Sequence, residues 1–141
     1  MLDDLLLYGC HVVIIKSNEI FDAFSIPIYS ASGFEADDII GYLSKYITKQ
    51  DPENKAFIVS SDKDFIQLTD DQITVYRPIE KDYYTPDTVK EKFGVLPENF
   101  LHYKVLLGDA SDKVPGIKGL GAKKIGKLFP ELLERNMTLE E

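Results

Sequence analysis

The sequence has a single cysteine, Cys10, so it can form no internal disulfide. That suits a reducing compartment, and the thiol reads as a small buried hydrophobe. No apolar run approaches the ~18 residues of a membrane span, so no segment is expected to cross a bilayer. The first ten residues, MLDDLLLYGC, carry acids where a secretory signal carries bases, so no signal peptide is expected. Internal repeats and low-complexity stretches are lacking as well, which sets aside repeat architectures.

Bases are scarce. Sixteen Lys and Arg face 24 Asp and Glu, for a net charge of −8. A phosphate polymer repels such a chain taken as a whole. The deficit is uneven, however. Residues 113–130 hold Lys113, Lys118, Lys123, Lys124 and Lys127 and no acid, a local +5 that leaves −13 on the rest. A polyanion can dock on that end only, and the acids elsewhere must be solvated or neutralised by metal cations.

What is present is enough for one folded domain: 141 residues, 44% hydrophobic and 28% charged. Residues 1–9 read as the end of a helix stopped at Gly9, His11–Ile15 as a short strand, and Asn18–Phe24 as a short helix. Ile26-Pro-Ile-Tyr-Ser30 reads as a strand, with its proline at the start or on an edge. In Glu35–Thr48, residues Ala36, Ile39, Ile40, Leu43 and Ile47 recur at helical spacing. The apolar run Ala56–Ser60 predicts a buried central strand. A helical turn at Phe65–Leu68 and strands at Ile73–Arg77 and Tyr83-Tyr84 follow. Thr85-Pro-Asp-Thr starts a helix that ends at Gly94. Pro97 opens another running to about Gly108, and a last helix starts near Ala122 and is broken or kinked at Pro130. Strands alternating with helices predict an α/β domain with a largely parallel sheet over residues 1–84, followed by a helical subdomain over 85–141.

The chemistry lies in carboxylates at element ends. Glu35-Ala-Asp37-Asp38 stands where the chain enters a helix, and residues 35 and 38 share a helix face. Ser60-Ser-Asp62-Lys-Asp64 follows the expected central strand, where open parallel sheets place their sites. In extended backbone Asp62 and Asp64 point the same way. Gly108-Asp109-Ala-Ser-Asp112 follows a helix. Helix capping or an Asp-rich turn accounts for each cluster alone. Together, seven carboxylates with no histidine or cysteine among them suit a hard cation such as Mg²⁺, which prefers oxygen. Two such ions ~3.5–4 Å apart form the clamp used in phosphodiester hydrolysis. Calcium storage is disfavoured because no Ca²⁺-loop spacing is present. Between two helices lies Gly116-Ile-Lys118-Gly119-Leu-Gly121, whose glycines admit phosphate close to backbone N–H groups. Lys123, Lys124 and Lys127 follow on the next helix. Such hairpins between helices hold duplex backbone without reading bases.

Three motifs occur in order: Glu35-Ala-Asp-Asp-Ile-Ile-Gly41, Ser60-Ser-Asp-Lys-Asp-Phe-Ile-Gln-Leu68 and Gly108-Asp-Ala-Ser-Asp-Lys-Val-Pro-Gly-Ile-Lys-Gly-Leu-Gly121. The chain thereby resembles the 5′ nucleases, namely the 5′-to-3′ exonuclease domain of bacterial DNA polymerase I and the phage flap endonucleases, over roughly residues 26–135. The linker from Tyr84-Thr-Pro-Asp to Phe93-Gly-Val-Leu-Pro97 is similar too. The resemblance implies a PIN-like nuclease core and a helix–three-turn–helix module. It implies that Glu35, Asp37, Asp38 and Asp62 hold metal near the reacting phosphate and that Asp64, Asp109 and Asp112 complete the sites, some through water. The cofactors implied are two Mg²⁺ or Mn²⁺, with a K⁺ that relatives can hold at the hairpin. Lys113, Gly116, Lys118, Gly119, Gly121, Lys123, Lys124 and Lys127 fall on the DNA-gripping segment. The partner implied is DNA (5′-flap, nicked or branched duplex, RNA–DNA primer junctions), and the expected location is the cytoplasm of a bacterial or phage-infected cell.

The family pattern also begins with two Asp-bearing strands and a helical arch carrying an essential base. No match to these precedes residue 26, and Asp3 and Asp4 sit in a helical pattern. The expectation is therefore a fragment, or a nuclease whose other half is a separate polypeptide, binding DNA better than it cuts it. Two rival readings are a catalytically dead duplex-binding module and a PIN-like ribonuclease, the latter leaving residues 108–127 unexplained.

Overall fold

The computed structural model describes residues 15–138, which fall into two compact units divided between Ile39 and Ile40. The expectations for residues 1–9, for Cys10 and for the strand at residues 11–14 lie outside the described residues. Ile15 itself is helical.

In the first unit, residues 15–23 form a helix (α1), steadied by a Lys16–Glu19 ion pair one turn apart at 2.6 Å. The helix stops at a turn in which Ser25 has φ 55 and its N–H bonds to Asp22. Residues 26–31 carry no ladder, so the strand expected at Ile26–Ser30 is not formed among the described residues. Strand propensity at 26–30 is a local signal, whereas a strand needs a partner. Gly33, with φ 86, turns the chain into α2 (Ala36–Gln50).

The second unit starts inside α2. Its helical period was legible, yet the residues it buries are Ser44 and Thr48, while Ile40 and Ile47 are exposed. Lys45 donates to Asp70 at 2.8 Å and to the Leu68 carbonyl at 3.3 Å, tying α2 to the segment before the second strand. The Gln72 side-chain amide lies within 3.1 Å of the carbonyls of Thr48, Asp51, Pro52 and Asn54, which fixes the intervening loop.

Three strands follow: β1 (Ala56–Val59), β2 (Ile73–Arg77) and β3 (Asp82–Tyr84), in that spatial order. β1 and β2 are parallel, as expected, but β2 and β3 are antiparallel, so the sheet is mixed. The cause is the short link over residues 78–81, which allows a hairpin and not a parallel crossover. β1 was expected at the sheet centre; it lies at one side of the described sheet, with Ile58 buried and Phe57 and Val59 exposed. A continuous apolar run reports burial on two faces only if both faces are covered.

The core lies on the face of Ile58, Ile73 and Val75 and is closed by Phe65, Ile66, Val89, Val95, Phe100, Tyr103, Ile125 and Leu132. These come from the sheet, from a 3₁₀ turn (Lys63–Leu68), from four helices, namely α3 (Pro86–Phe93), α4 (Phe100–Leu107), α5 (Ala122–Leu128) and α6 (Glu131–Glu134), and, for Val95, from the link after α3. Sheet and helices thus share one core. α3 begins as expected, with Thr85 as N-cap, Pro86 at the first position and a reciprocal Thr85–Thr88 capping box, and ends at Gly94. Pro97 opens a 3₁₀ turn that leads into α4. α5 stops at Leu128, and Pro130 caps α6. No described helix is long and apolar enough to cross a membrane.

Candidate metal and DNA site

β1 delivers the chain to Ser60, whose hydroxyl accepts the Asp62 N–H at 3.1 Å. Arg77, at the end of β2 and nearly buried, donates to the Ser61 carbonyl through Nε at 3.1 Å and Nη2 at 2.7 Å, and pairs with Glu80 at 2.8 Å. The sheet thereby braces the backbone just before Asp62. Asp62 caps the 3₁₀ turn, accepting the Asp64 N–H at 2.9 Å. Asp62 itself is extended, but Lys63 and Asp64 lie in the 3₁₀ turn, so the alternation expected to point both carboxylates the same way does not apply. Helical backbone replaced it because an Asp side chain competes for nearby N–H groups.

The second acid-bearing loop follows α4. Asp109 and Val114 exchange backbone hydrogen bonds at 2.9 and 2.8 Å, closing a loop over residues 109–114. Asp109 accepts from the N–H of Ser111 at 2.9 Å and from its hydroxyl. The Ser111 hydroxyl, and after it the Lys104 ammonium, hold the Asp109 carboxyl down at about 2.

α4 packs on the 3₁₀ turn, and this brings the two loops together through a residue that sequence reasoning missed. Tyr103 is buried in the core, and its neighbour Lys104 reaches the cleft with a side chain only 14% exposed. The Lys104 ammonium contacts three carboxylates: Asp64, Asp112 at 2.8 Å and Asp109 at 3.1 Å. Burial alone would weaken its hold on the proton, but the bonds to Asp112, Asp64 and Asp109 outweigh it and raise the pKa. Its partners lie 40, 8 and 5 residues away in sequence, beyond the i±3 and i±4 spacings that reveal ion pairs. The one available signal was a lone base in the apolar helix Phe-Leu-His-Tyr-Lys-Val-Leu-Leu, directly ahead of an acidic loop.

Asp62, Asp64, Asp109 and Asp112 line one open cleft of about 320 Å³, with Ser61, Lys63, Arg77, Lys104 and Ser111. Glu35, Asp37 and Asp38 belong to the first unit. They stand at the start of α2, where the Asp38 carboxylate accepts the Glu35 N–H at 3.1 Å. As they stand, no three acids among the described residues form a metal-ligating group. Still, the donors are the carboxylates a hard divalent ion takes, and three of them already meet around one cation.

The hairpin expected to grip DNA, Gly116–Gly121, follows the acidic loop and leads into α5. Gly116 has φ +64 and passes so close to Leu107 and Gly108 that a Cβ on it would lie 2.5 Å from the Gly108 nitrogen. Ile117 donates to the Leu106 carbonyl at 2.9 Å, which fastens the hairpin to α4. Gly119 has φ +81 with open space around it, whereas Gly121 caps α5 at an ordinary φ of −102. Lys113 has φ 58 and is exposed, as is Lys118. Lys123, Lys124 and Lys127 are exposed on α5 around its buried Ile125, and the Lys124 ammonium donates to the Gly119 carbonyl at 2.9 Å.

Known proteins resemble this chain in sequence and in fold. DNA polymerase I of Bacillus subtilis is 43% identical over 126 residues, covering 86% of this chain and 14% of its own length. The 5′-3′ exonuclease of Aquifex aeolicus is 39% identical over 105 residues, covering 74% of this chain and 36% of its own. In fold, the chain resembles bacteriophage T5 D15 flap endonuclease in a pseudo-enzyme-product complex with DNA and metal ions. That likeness has a TM-score of 0.67 at 24% identity and covers 82% of this chain and 42% of that one. The chain thus spans a minor part of each of these relatives. Residues 11–94, more than half of the sequence, match the family described as the 5′-3′ exonuclease N-terminal resolvase-like domain, and to that family the chain belongs.

Proposed function

We propose that this chain is the metal- and DNA-holding part of a structure-specific 5′-to-3′ nuclease that hydrolyses DNA phosphodiesters. The substrates would be 5′ flaps, nicked or branched duplexes and RNA–DNA primer junctions met in replication or repair. The observation that carries the reading is the cleft in which Asp62, Asp64, Asp109 and Asp112 meet at the end of β1 and the end of α4. Asp62, Asp64, Asp109 and Asp112, with Glu35, Asp37 and Asp38 from the start of α2, would hold two Mg²⁺ or Mn²⁺. Bound divalent ions would supply a more acidic water nucleophile and neutralise charge on the phosphoryl group. The chain's own residues set that chemistry up. Arg77 fixes the Ser61 backbone and so aims Asp62. Ser111 keeps Asp109 ionised and oriented.

Residues 85–141 would act as the helix–hairpin–helix clamp. Lys113, Lys118, Lys123, Lys124 and Lys127 would meet phosphates, and the hairpin Gly116–Gly121 would bring its backbone close to the duplex, with K⁺ as a candidate ligand there. The T5 relative of like fold is complexed with DNA and metal ions, the two kinds of ligand proposed here.

A second feature favours completion by further polypeptide. On the sheet face opposite the core, Phe57 is 67%, Val59 65% and Tyr83 54% exposed, beside a half-buried Tyr76 whose ring lies 4.6 Å from that of Tyr83. An apolar patch of this kind marks an interaction surface. The remaining nuclease core, on the same polypeptide or a separate one, would cover it.

The test is a 5′-flap duplex incubated with Mg²⁺ and the chain, alone and with a supplied N-terminal half from a polymerase relative. Metal-dependent cutting that needs the added half, and that Asp62→Asn and Asp109→Asn each abolish, is expected. Duplex binding without cutting in either mixture would favour the dead binding module.

A further inference from the structure

Lys104 has no part in the reading above, yet it occupies the place in the cleft where charge is densest. We propose that the Lys104 ammonium is a resident counter-ion: it holds Asp64, Asp109 and Asp112 in one place while metal is absent, and a divalent ion must displace it to bind them. This rests on the metal reading of the same cleft.

The geometry supports it in three ways. First, the ammonium is the shared partner of three carboxylates from two separate loops, at 2.8 Å from Asp112, 3.1 Å from Asp109 and in contact with Asp64. Three carboxylates at such close quarters repel one another, and one positive charge among them offsets much of that repulsion. Second, the ammonium is better shielded than the acids around it. Side-chain exposure is 14% for Lys104, against 21% for Asp109, 41% for Asp64 and 50% for Asp112. The backbone that carries the ammonium is anchored on α4, whose Tyr103 is locked in the core, and the acids meet it from two loops. Third, a divalent ion and an ammonium cannot share these oxygens. Two such cations ~3 Å apart repel strongly, and each bond an oxygen gives to Nζ is one it withholds from a metal. A lysine suits the task because its ammonium sits on a flexible four-carbon stem that can swing out and leave the carboxylates behind. Lys104 is a positioning residue on this account: it preforms the site and sets the metal affinity without touching substrate.

Two measurements test it. In the first, Mn²⁺ binding is followed by the electron paramagnetic resonance signal of the free ion for the parent chain, Lys104→Met and Lys104→Arg. Lys104→Met should bind Mn²⁺ at least about tenfold more tightly, melt lower than the parent in EDTA, and gain more from saturating Mn²⁺. Lys104→Arg, which keeps the charge, should stay near the parent. A residue that only packs would lower melting by the same amount with and without metal. If the parent binds Mn²⁺ and Lys104→Met binds equally or more weakly, the counter-ion role is overturned while the metal site stands. If neither binds Mn²⁺, the metal reading falls and the inference with it. The second measurement needs no variant. Mass-spectrometric mapping of amine acylation on the parent chain should show Lys104 protected in EDTA and several-fold more reactive in Mg²⁺. Unchanged reactivity on a chain that binds Mn²⁺ overturns the inference.

Discussion

At the scale of single residues, the site depends on backbone approach as much as on charge. Gly108 and Gly116 cross so closely that a Cβ on either would meet the other's backbone within 3.0 Å. That crossing joins the acid loop to the hairpin, and Gly116 also has a left-handed φ of +64. Gly116→Ala is expected to cost roughly 2–4 kcal/mol, strain and clash together, read as a fall in urea midpoint. Gly119→Ala meets open space and carries only the left-handed penalty, so about 1 kcal/mol is expected. A larger loss for Gly119 than for Gly116 would contradict the geometry. Asp70 gives a pH prediction. Burial pushes its carboxyl up, but the Lys45 ammonium and the N–H groups of Gln72 and Ile73 outweigh that and leave the pKa below its ordinary value. A carboxyl depressed in the folded state adds stability that is full above its unfolded pKa of ~3.9 and is lost as pH falls through the lower folded value. Asp70→Asn should therefore flatten the acid limb of stability against pH, from about pH 4.5 downward, relative to the parent. Identical limbs would show that the Lys45–Asp70 pair does nothing in solution.

Elements were legible where their causes are local. The start of α3 could be read from Thr85-Pro-Asp-Thr because N-cap, proline and capping box all lie within four residues. Pro130 likewise marked where α5 gives out, though the short helix α6 after it was not foreseen. Pairing is not local, and there the sequence spoke less clearly. The apolar run of β1 could not say that Phe57 and Val59 face solvent, nor could Ile26–Ser30 show that it finds no partner among the described residues. The acid motifs were legible by composition and order. Their organiser was not, because Lys104 meets its partners only through the packing of α4 on the 3₁₀ turn. Asn99 is a second hidden tie: fully buried, it donates to the carbonyls of Leu132 at 2.8 Å and Arg135 at 2.7 Å and accepts the Met137 N–H at 2.8 Å. It anchors α6 and the segment after it to the start of α4. Asn99→Ala removes three hydrogen bonds, while the Leu132 carbonyl keeps its bond from the Leu96 N–H, so a loss of about 2–3 kcal/mol in chemical denaturation is expected. A loss below about 0.5 kcal/mol would mean that water replaces the amide.

At the scale of the molecule, the sequence divides into a strongly acidic part and a short basic one, +5 over residues 113–130 against −13 elsewhere. The two halves of the proposed chemistry follow that division. A cation binding only the folded cleft stabilises it by linkage, so saturating Mg²⁺ should raise the melting temperature, with about 2.7 kcal/mol gained at a hundredfold excess over Kd. A melting curve that Mg²⁺ leaves unchanged would contradict a formed site. DNA should dock on the basic part through phosphates alone, indifferent to sequence and weakened steeply by salt. The most direct test of this division is one electrophoretic titration of duplex-containing DNA with the parent chain, the Lys123→Ala/Lys124→Ala double variant and Asp62→Asn. The double variant should bind more weakly and flatten the salt slope by about 1–2 units, whereas Asp62→Asn should bind as well as the parent or better. A double variant that binds like the parent, beside an Asp62→Asn that loses DNA, would contradict the separation of metal cleft from DNA clamp.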